Sequence, residues 1–180
     1  MALEKLTGNT YGDIYSVTNA FRIIMDHIRA ATFLIADGAL PSNVDAGYFV
    51  RRLIRRAIRA GRRIGLQTDF TQILALTVIS EYGEAYANLI SQKEIILKSL
   101  SEEEEKFRRT LERGEREIEK ILSSGEKIDG KKAFWIFETY GFPREMTEEI
   151  ILEYIAKKHG GLDDIANIEI LREKLYTVNP

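Results

Sequence analysis

The chain has 180 residues, 44% of them apolar and 30% charged, with a formal net charge of −2, as is typical of a folded, highly charged globular protein. The absence of cysteine excludes disulfides, thiol nucleophiles and thiolate metal sites, and the two histidines, His27 and His159, are too far apart to suggest a zinc site. No apolar run reaches the length of about 18 residues that a membrane span needs, and no signal peptide is evident. We therefore expect a cytoplasmic protein with no membrane partner.

The first half of the chain predicts helices separated by turn residues. Apolar residues spaced by three and four predict a buried helix over residues 17–36, which Gly38 would end. The segment Pro41-Ser42-Asn43 then restarts the chain. Ser42, with Asp45 three residues later, has the form of a capping box and is predicted to open the next helix.

That next helix carries an unusual arginine pattern. Residues 49–65 contain seven arginines and neither lysine nor an acidic residue. At about 100° per residue, the arginines fall on one arc of roughly 140°, opposite an apolar face. Guanidinium groups fit phosphate oxygens bidentately, so we predict that this arc contacts phosphate groups. The alternative is a solvated face that pairs with acids from elsewhere in the chain. The arginines are Arg51, Arg52, Arg55, Arg56, Arg59, Arg62 and Arg63.

The pattern after this helix remains helical. A helix is predicted over residues 70–82, ended by Gly83, and a long one over 84–123 that reaches out of the compact core. The long helix has a sparse apolar stripe, and Gly114 on it suggests a close helix crossing or a bend. Its acidic run, residues 102–105, is interpreted as an exposed, solvated face.

A linker is predicted over residues 123–130, before the last part of the chain, where three helices are predicted: 131–140, 144–159 and 163–176. The sequence therefore predicts an all-α fold, a multi-helix bundle with one long protruding helix and a small C-terminal helical subdomain. The predicted boundary divides residues 1–124, which carry the arginine helix, from the C-terminal subdomain at 125–180.

The residues alone indicate a binding module without a catalytic constellation. No glycine-rich phosphate loop is present. His27, on an apolar helix face, is interpreted as a hydrogen-bonded structural histidine. Asn43 stands at the entry of the arginine helix, as a cap or as a functional residue. Glu138 falls in the last turn of its predicted helix, where the helix dipole disfavours a negative charge, and such a local mismatch is a pointer to function.

Three ordered segments resemble one known family. The segment DHIRAATFLIADGALPSNVDAGYFVRRLIRRAIRAGRRIG (residues 26–65) is similar to the signature that follows the catalytic domain of bacterial-type alanyl-tRNA synthetases. EEEKFRRTLERG (103–114) and FETYGFPREMTEEI (137–150) resemble later blocks of that family, in the same order, and LEKLTGNTYG near the start resembles the end of its catalytic domain. The resemblance spans essentially the whole chain.

The resemblance implies the tRNA-recognition part of an ATP-dependent class II ligase for alanine and its tRNA. The catalytic core, which uses ATP and magnesium, is expected before Met1, and an editing domain with a zinc site after Pro180. We therefore expect no cofactor or metal in this chain and no catalysis by the chain alone. Its implied partners are the acceptor stem of tRNA(Ala) and the catalytic and editing domains of the parent enzyme.

The resemblance also assigns two base-reading residues. The Asn of the family's PSN motif and the acid before its TYGFP motif correspond to Asn43 and Glu138, and they are implied to read a G·U wobble pair in the acceptor stem. The family more often has Asp at the second position, one methylene shorter than Glu138. Val44-Asp45-Ala46 stands where the family commonly has an acidic residue, Gly and Arg.

Two other functions fit the residues. The break before the arginine helix loosely resembles a helix-turn-helix, which would make the chain a DNA-binding module. The recognition helix of such a module normally mixes Gln, Asn and Ser for base contacts, and this helix does not. The charged helix after residue 84 could instead serve a helical protein-interaction adaptor.

Overall fold

The computed structural model describes residues 2–67 and 69–158, which form eight α-helices and no strand. The predicted all-α class is confirmed, while the helix predicted at 163–176 lies outside the described residues. No helix in the described part of the chain is long and apolar enough to cross a membrane. The helices are α1 (Ala2–Thr7), α2 (Tyr15–Ala36), α3 (Asp45–Arg63), α4 (Phe70–Tyr82), α5 (Ala87–Ser91), α6 (Lys93–Ser123), α7 (Gly130–Tyr140) and α8 (Arg144–Lys158).

The chain divides into two compact units, Met1–Arg109 and Thr110–Pro180. The division falls within α6, whereas the sequence placed a boundary between residues 124 and 125, in the segment that follows this helix. The first part of α6 therefore belongs to the same unit as the arginine helix. This grouping brings acidic residues of α6 into contact with α3 and α4 within the first unit.

The core of the first unit is the contact between α2 and α3, the most extensive helix pairing in the described chain. Both helices bury side chains at spacings of three and four residues, as an amphipathic helix requires. Full burial of each of these isoleucine or phenylalanine side chains is worth about 1.5–3 kcal/mol. The fully buried side chains include Phe21, Ile24 and Ile28 of α2 and Val50, Ile54 and Ile58 of α3.

Gly38 ends α2 as the sequence predicted. Its φ of 95° lies in the left-handed region that glycine adopts without steric cost. The N–H of Gly38 donates to the carbonyl of Ile35 at 3.0 Å, and the N–H of Ala39 donates to the carbonyl of Leu34 at 2.9 Å. This pair of hydrogen bonds is the Schellman motif, and it fixes the point where the chain leaves α2 for the loop before α3.

The long helix predicted over residues 84–123 is interrupted, which corrects the sequence interpretation. A short α5 ends at Gln92, whose φ and ψ of −99° and 11° depart from helical values, and α6 then runs for 31 residues. The α5 helix contacts both α2 and α4, and Leu89 is fully buried there. Such tertiary contacts leave no trace in helical periodicity, so the break could not be read from the sequence.

In the second unit, the corner between α7 and α8 packs against α6 at Gly114. A Cβ atom on Gly114 would lie 2.5 Å from Cζ of Phe142, a side chain that is fully buried. The close approach that Gly114 suggested is therefore present. Asp129 caps α7, because its carboxylate accepts a hydrogen bond from the N–H of Lys132 at 2.8 Å.

Candidate nucleic-acid interface

Asn43 lies in a loop that folds back on the first turn of α3. The N–H of Ser42 donates to the carbonyl of Gly47 at 3.0 Å, and the Ser42 hydroxyl donates to the carbonyl of Val44 at 2.9 Å. A Cβ atom on Gly47 would lie 2.2 Å from Oγ of Ser42, so only glycine permits this approach. The loop is thus held on both sides of Asn43.

The predicted capping box at Ser42 and Asp45 is wrong. Val44 is the residue before α3, and no side chain caps the helix there. Ser42 uses its hydroxyl within its own loop instead, because the loop turns back toward Gly47 before the helix starts. Asp45 has a φ of 49°, in the left-handed region that few residues other than glycine adopt.

The Asn43 side chain is exposed and hydrogen-bonded to the arginine helix. A guanidinium nitrogen of Arg51, Nη1, donates to Oδ1 of Asn43. The two residues are eight positions apart in sequence, and the loop brings them together. The structure therefore places one predicted base-reading residue in direct contact with one of the predicted phosphate-binding arginines.

The arginine arc of α3 divides into an inner and an outer part. Arg51 and Arg55 have side chains that are 22% and 15% exposed, and both pair with Glu103 of α6. Nε of Arg55 donates to the Glu103 carboxylate at 2.6 Å, and its guanidinium lies 4.9 Å from the Phe107 ring centroid. Arg59 is only 3% exposed. These three inner guanidiniums are engaged with the protein.

The other four arginines, which we call the outer part of the arc, are exposed to different degrees. Arg62 and Arg63, in the last turn of α3, are exposed, and Arg52 and Arg56 are partly exposed. These side chains present positive charge on the helix that begins beside the Asn43 loop. Such a row can contact phosphate groups along a nucleic-acid backbone.

The acidic run of α6 is not the solvated face that the sequence suggested. Glu103 and Glu104 are 4% and 2% exposed. One carboxylate oxygen of Glu104, Oε2, accepts hydrogen bonds from the N–H and the hydroxyl of Thr71, at 3.1 and 2.6 Å, and so satisfies a backbone donor in the first turn of α4. Burial raises the pKa of Glu104 above its ordinary value of 4.5, and the Thr71 hydrogen bonds oppose the shift.

The sequence contained one signal for these buried acids. Seven arginines without a local acid need partners or solvent, and α6 carries the densest acidic run in the chain. The run also pairs with basic residues four positions away, which is typical of exposed helices and masked the signal. The exposed pairs Glu102–Lys106 and Glu105–Arg109 do have that form.

His27 is largely buried but is not the hydrogen-bonded histidine that the sequence suggested. Neither ring nitrogen has a hydrogen-bond partner among the described residues, and the side chain is 15% exposed. Burial is the main cause that lowers the pKa of His27 below 6.5. The positive charge of Arg56 acts in the same direction, and Asp26 opposes both. The imidazole is therefore neutral near pH 7, on the side of α2 that faces the arginines.

Glu138 lies in the second unit, in the last turn of α7, as the sequence predicted. Its side chain is exposed, and it makes no hydrogen bond or ion pair with any residue that the structure describes. Two exposed aromatic residues of α7 stand nearby in sequence, Phe134 and Phe137, with ring centroids 6.3 Å apart. A carboxylate in the last turn of a helix is disfavoured by the helix dipole, and this is the local mismatch that the sequence showed.

Metal chemistry finds no support in the described residues. No group of three or more His, Asp or Glu side chains in residues 2–67 and 69–158 is arranged to hold a metal ion. The features that stand out are instead the exposed amide of Asn43, the outer arginines of α3 and the exposed carboxylate of Glu138. The first two belong to the first unit and Glu138 to the second, and in each unit these groups are of the kind that can contact nucleic acid.

Comparison with known proteins identifies the family. Residues 1–167 match the family model described as tRNA synthetases class II (A). The chain therefore belongs to the class II alanyl-tRNA synthetase family.

Several bacterial relatives are alanine–tRNA ligases. The chain is 44% identical over 156 residues to the enzyme of Borreliella afzelii, covering 84% of this chain and 26% of that protein. It is 41% identical over 179 residues to the enzyme of Clostridioides difficile, covering 96% of this chain and 20% of that protein. The chain thus spans about a quarter or less of the length of these curated relatives.

Proposed function

We propose that this chain is the tRNA-recognition domain of an alanine–tRNA ligase, which docks the acceptor stem of tRNA(Ala) and reads its G·U wobble pair. In this proposal, the bound stem is presented to the catalytic part of the longer enzyme. The observation that carries the proposal is the arrangement of groups around α3. Exposed arginines lie on this helix, and the loop that precedes it presents the Asn43 amide. Membership in the alanyl-tRNA synthetase family is the reason for proposing a tRNA as the bound RNA.

The shape of RNA favours this arrangement of groups. An A-form helix has a wide, shallow minor groove where base edges are accessible, and a deep, narrow major groove that side chains cannot read. A G·U wobble pair leaves the guanine amino group in the minor groove without its usual partner. A carboxylate can accept a hydrogen bond from that amine, and an amide can contact a neighbouring acceptor. We assign these contacts to Glu138 and Asn43.

We assign the phosphate contacts to the arginines of α3. The exposed and partly exposed members Arg52, Arg56, Arg62 and Arg63 would make the direct contacts. Arg51, Arg55 and Arg59 lie deeper and would contribute mainly through their charge and by fixing the surface. Phosphate contacts set the register of a stem without reading its sequence, so specificity falls to the two base-reading residues.

The two rival functions have less support from the described residues. The exposed positions on the arginine face carry no Gln, Asn or Ser of the kind that reads base edges in the DNA major groove. An adaptor that used the charged helix α6 would have a reduced acidic surface, because Glu103 and Glu104 are buried. RNA binding through α3 uses the groups that are exposed.

Filter binding of the 180-residue chain to an acceptor-stem RNA hairpin tests the proposal directly. We expect tighter binding to a G·U stem than to a matched G·C stem, and weaker binding to a DNA hairpin of the same sequence. Asn43→Ala and Glu138→Gln should each cost about 1–3 kcal/mol with the G·U stem, the usual loss for one base contact, and much less with the G·C stem.

Matched controls separate reading from general binding. Asn88→Ala removes a partly exposed asparagine that donates to Asp37, and Glu119→Gln neutralises an exposed glutamate of α6, so neither should change the G·U preference. Glu138→Asp, the family's commoner residue, should keep that preference. Equal binding of the wild-type chain to G·U and G·C stems, or tighter binding to the DNA hairpin, would overturn the proposed function.

A further inference from the structure

A chain of three side chains links the exposed loop to the interior of the first unit. Glu103 of α6 holds Arg51 of α3, and Arg51 in turn donates to Oδ1 of Asn43. We propose that Glu103 and Arg51 are positioning residues that commit Asn43 to act as a hydrogen-bond donor toward the bound stem. This inference rests on the proposed function and names the chemistry by which Asn43 reads its target.

The orientation of the Asn43 amide follows from the chemistry of its partner. The two ends of an asparagine amide are hard to distinguish by shape, and the assignment normally depends on the hydrogen-bond network. A guanidinium group has only donors and stays charged in proteins. The end of Asn43 that faces Arg51 must therefore be the carbonyl oxygen. The NH₂ group is left at the exposed side of the loop, where only an acceptor can bind it.

Burial of Glu103 makes the orientation durable. An isolated surface arginine samples many rotamers, and fixing such a side chain costs conformational entropy. Here the Glu103 carboxylate is 4% exposed, and it is shared between Arg51, at 3.4 Å, and Arg55, at 2.6 Å. Because Arg55 is itself packed over Phe107, the carboxylate has little freedom to move. The fork of Arg51 can then contact Glu103 with one nitrogen and Asn43 with another.

The donor role divides the reading task between two side chains. Minor-groove edges present the pyrimidine O2 and purine N3 as acceptors, and guanine adds its amino group as a donor. An Asn43 that only donates selects one of the acceptors or a ribose hydroxyl. Glu138, a carboxylate, selects the amine. Asn43 therefore binds only an acceptor, and Glu138 binds only a donor. An amide that could rotate by 180° would present either end and would not discriminate between acceptors and donors.

The free protein provides the first test, which requires no RNA. Arg51→Lys keeps the positive charge beside Glu103 but replaces the planar fork with a single ammonium group, so it cannot hold Glu103 and Asn43 in the same geometry. We expect the side-chain amide resonances of Asn43 in a ¹⁵N–¹H spectrum to shift in Arg51→Lys. Arg109→Lys is the matched control, because Arg109 pairs with the neighbouring α6 carboxylate, Glu105, without contacting Asn43. Unchanged Asn43 resonances in Arg51→Lys would refute the positioning contact.

Stem discrimination provides the second test. We expect Arg51→Lys and Glu103→Gln to lower the ratio of G·U to G·C affinity roughly tenfold, the equivalent of about 1.4 kcal/mol. Arg109→Lys, which changes an exposed arginine of α6 that pairs only with Glu105 among the described residues, should leave that ratio at the wild-type value. Thermal unfolding of each variant shows whether the fold is retained, and Arg51→Lys decides the matter if Glu103→Gln fails to fold.

Asn43→Asp isolates the donor itself. Aspartate keeps an oxygen toward Arg51 and places a second oxygen where the NH₂ group was, so the internal contact survives and the donor is removed. We expect this variant to lose as much G·U preference as Asn43→Ala, or more. Retention of the preference in Asn43→Asp, while the wild-type chain discriminates the two stems, would overturn the inference and leave the proposed function intact. Absence of discrimination in the wild-type chain would overturn both.

Discussion

At the scale of single residues, two buried carboxylates of α6 bind groups on α3 and α4. Glu103 engages Arg51 and Arg55, while Glu104 serves Thr71 at the start of α4. Removal of one partner from a buried ion pair leaves an uncompensated charge. The free-energy cost of that charge exceeds the stability that the intact pair contributed. The two glutamates therefore tie α3 and α4 to α6, and each does so with a different chemistry.

Glu104 makes the stability of the protein depend on pH in a specific direction. Its pKa is raised in the folded protein above the ordinary 4.5, so the folded state binds a proton more readily than the unfolded chain. The stability that the Glu104 carboxyl contributes is therefore present below about pH 4.5. It is lost as the pH rises through the raised pKa of Glu104 in the folded protein. We expect the wild-type chain to lose stability relative to Glu104→Gln across this window, as measured by urea unfolding.

Glu105→Gln is the matched control for this comparison, because Glu105 lies next in sequence, with a side chain that is 66% exposed. Its free energy of unfolding should run parallel to that of the wild-type chain over the same pH range. A wild-type curve that also runs parallel to Glu104→Gln would show that the buried carboxyl does not titrate as expected.

At the scale of elements, glycine sets how closely the corner after α7 approaches α6. The Phe142 ring occupies the place of the missing side chain of Gly114, and the ring is fully enclosed. Alanine normally favours a helix over glycine by about 1 kcal/mol. At this position the added methyl group would overlap the end of the Phe142 ring, so the ring would have to shift, and overpacking of this kind costs about 1–3 kcal/mol.

We therefore expect Gly114→Ala to lower the free energy of unfolding, against the direction of helix propensity. Gly130→Ala is the matched control, since Gly130 begins α7 and a Cβ atom there meets nothing within 4 Å. That variant should be neutral or more stable. Denaturant unfolding of the two variants measures the difference, and a stabilised Gly114→Ala would contradict the packing at this corner.

The elements also show what the sequence could and could not predict. The bounds of α4, the stop of α2 at Gly38 and the place of Glu138 on α7 were all predicted, because each depends on local periodicity or on one turn residue. The break before α6 and the burial of Glu103 were missed. Arg55 and Glu103 are 48 positions apart in sequence, and no local pattern encodes such a contact.

The candidate site was predictable to a similar extent. The position of Asn43 at the entry of the arginine helix could be read from the turn that precedes it, although the predicted cap at Ser42 was wrong. The helical arc of arginines could be read from spacing alone. Which of them face solvent could not, because the answer depends on α6. The base-reading roles of Asn43 and Glu138 stay predictions.

At the scale of the whole molecule, the net charge of −2 conceals a strongly basic helix. Each phosphate contact releases condensed counterions, so RNA affinity should fall with salt by a slope of about 0.7–0.9 per contact. The exposed end of α3 is where such contacts are most accessible. The salt dependence of binding therefore reports how many of its arginines reach the RNA.

We expect the double variant Arg62→Ala with Arg63→Ala to weaken G·U and G·C stems alike. Its salt slope should flatten by about 0.7–0.9 for each phosphate that the variant no longer binds. Arg109 and Arg116 of α6, both with side chains 74% exposed, offer a matched pair whose replacement by alanine should leave the slope unchanged. Filter binding at several salt concentrations makes the measurement. A slope that does not change in the Arg62 and Arg63 variant would place the RNA elsewhere.

In the proposed function, the carboxylate shared by Arg51 and Arg55 would also affect how strongly the protein binds the many other RNAs that compete for it. Attraction to a wrong RNA comes from phosphate contacts alone, and it grows with every guanidinium that is available to them. Glu103 pairs with two guanidiniums and so makes them less available to phosphate groups. One of the two, that of Arg51, also orients the amide of Asn43, the proposed base-reading residue. Specificity is a difference between two affinities, and it improves when the background affinity is kept low. In the proposed function, Glu103 would thus lower the affinity of the domain for the wrong RNA and shorten the lifetime of such complexes.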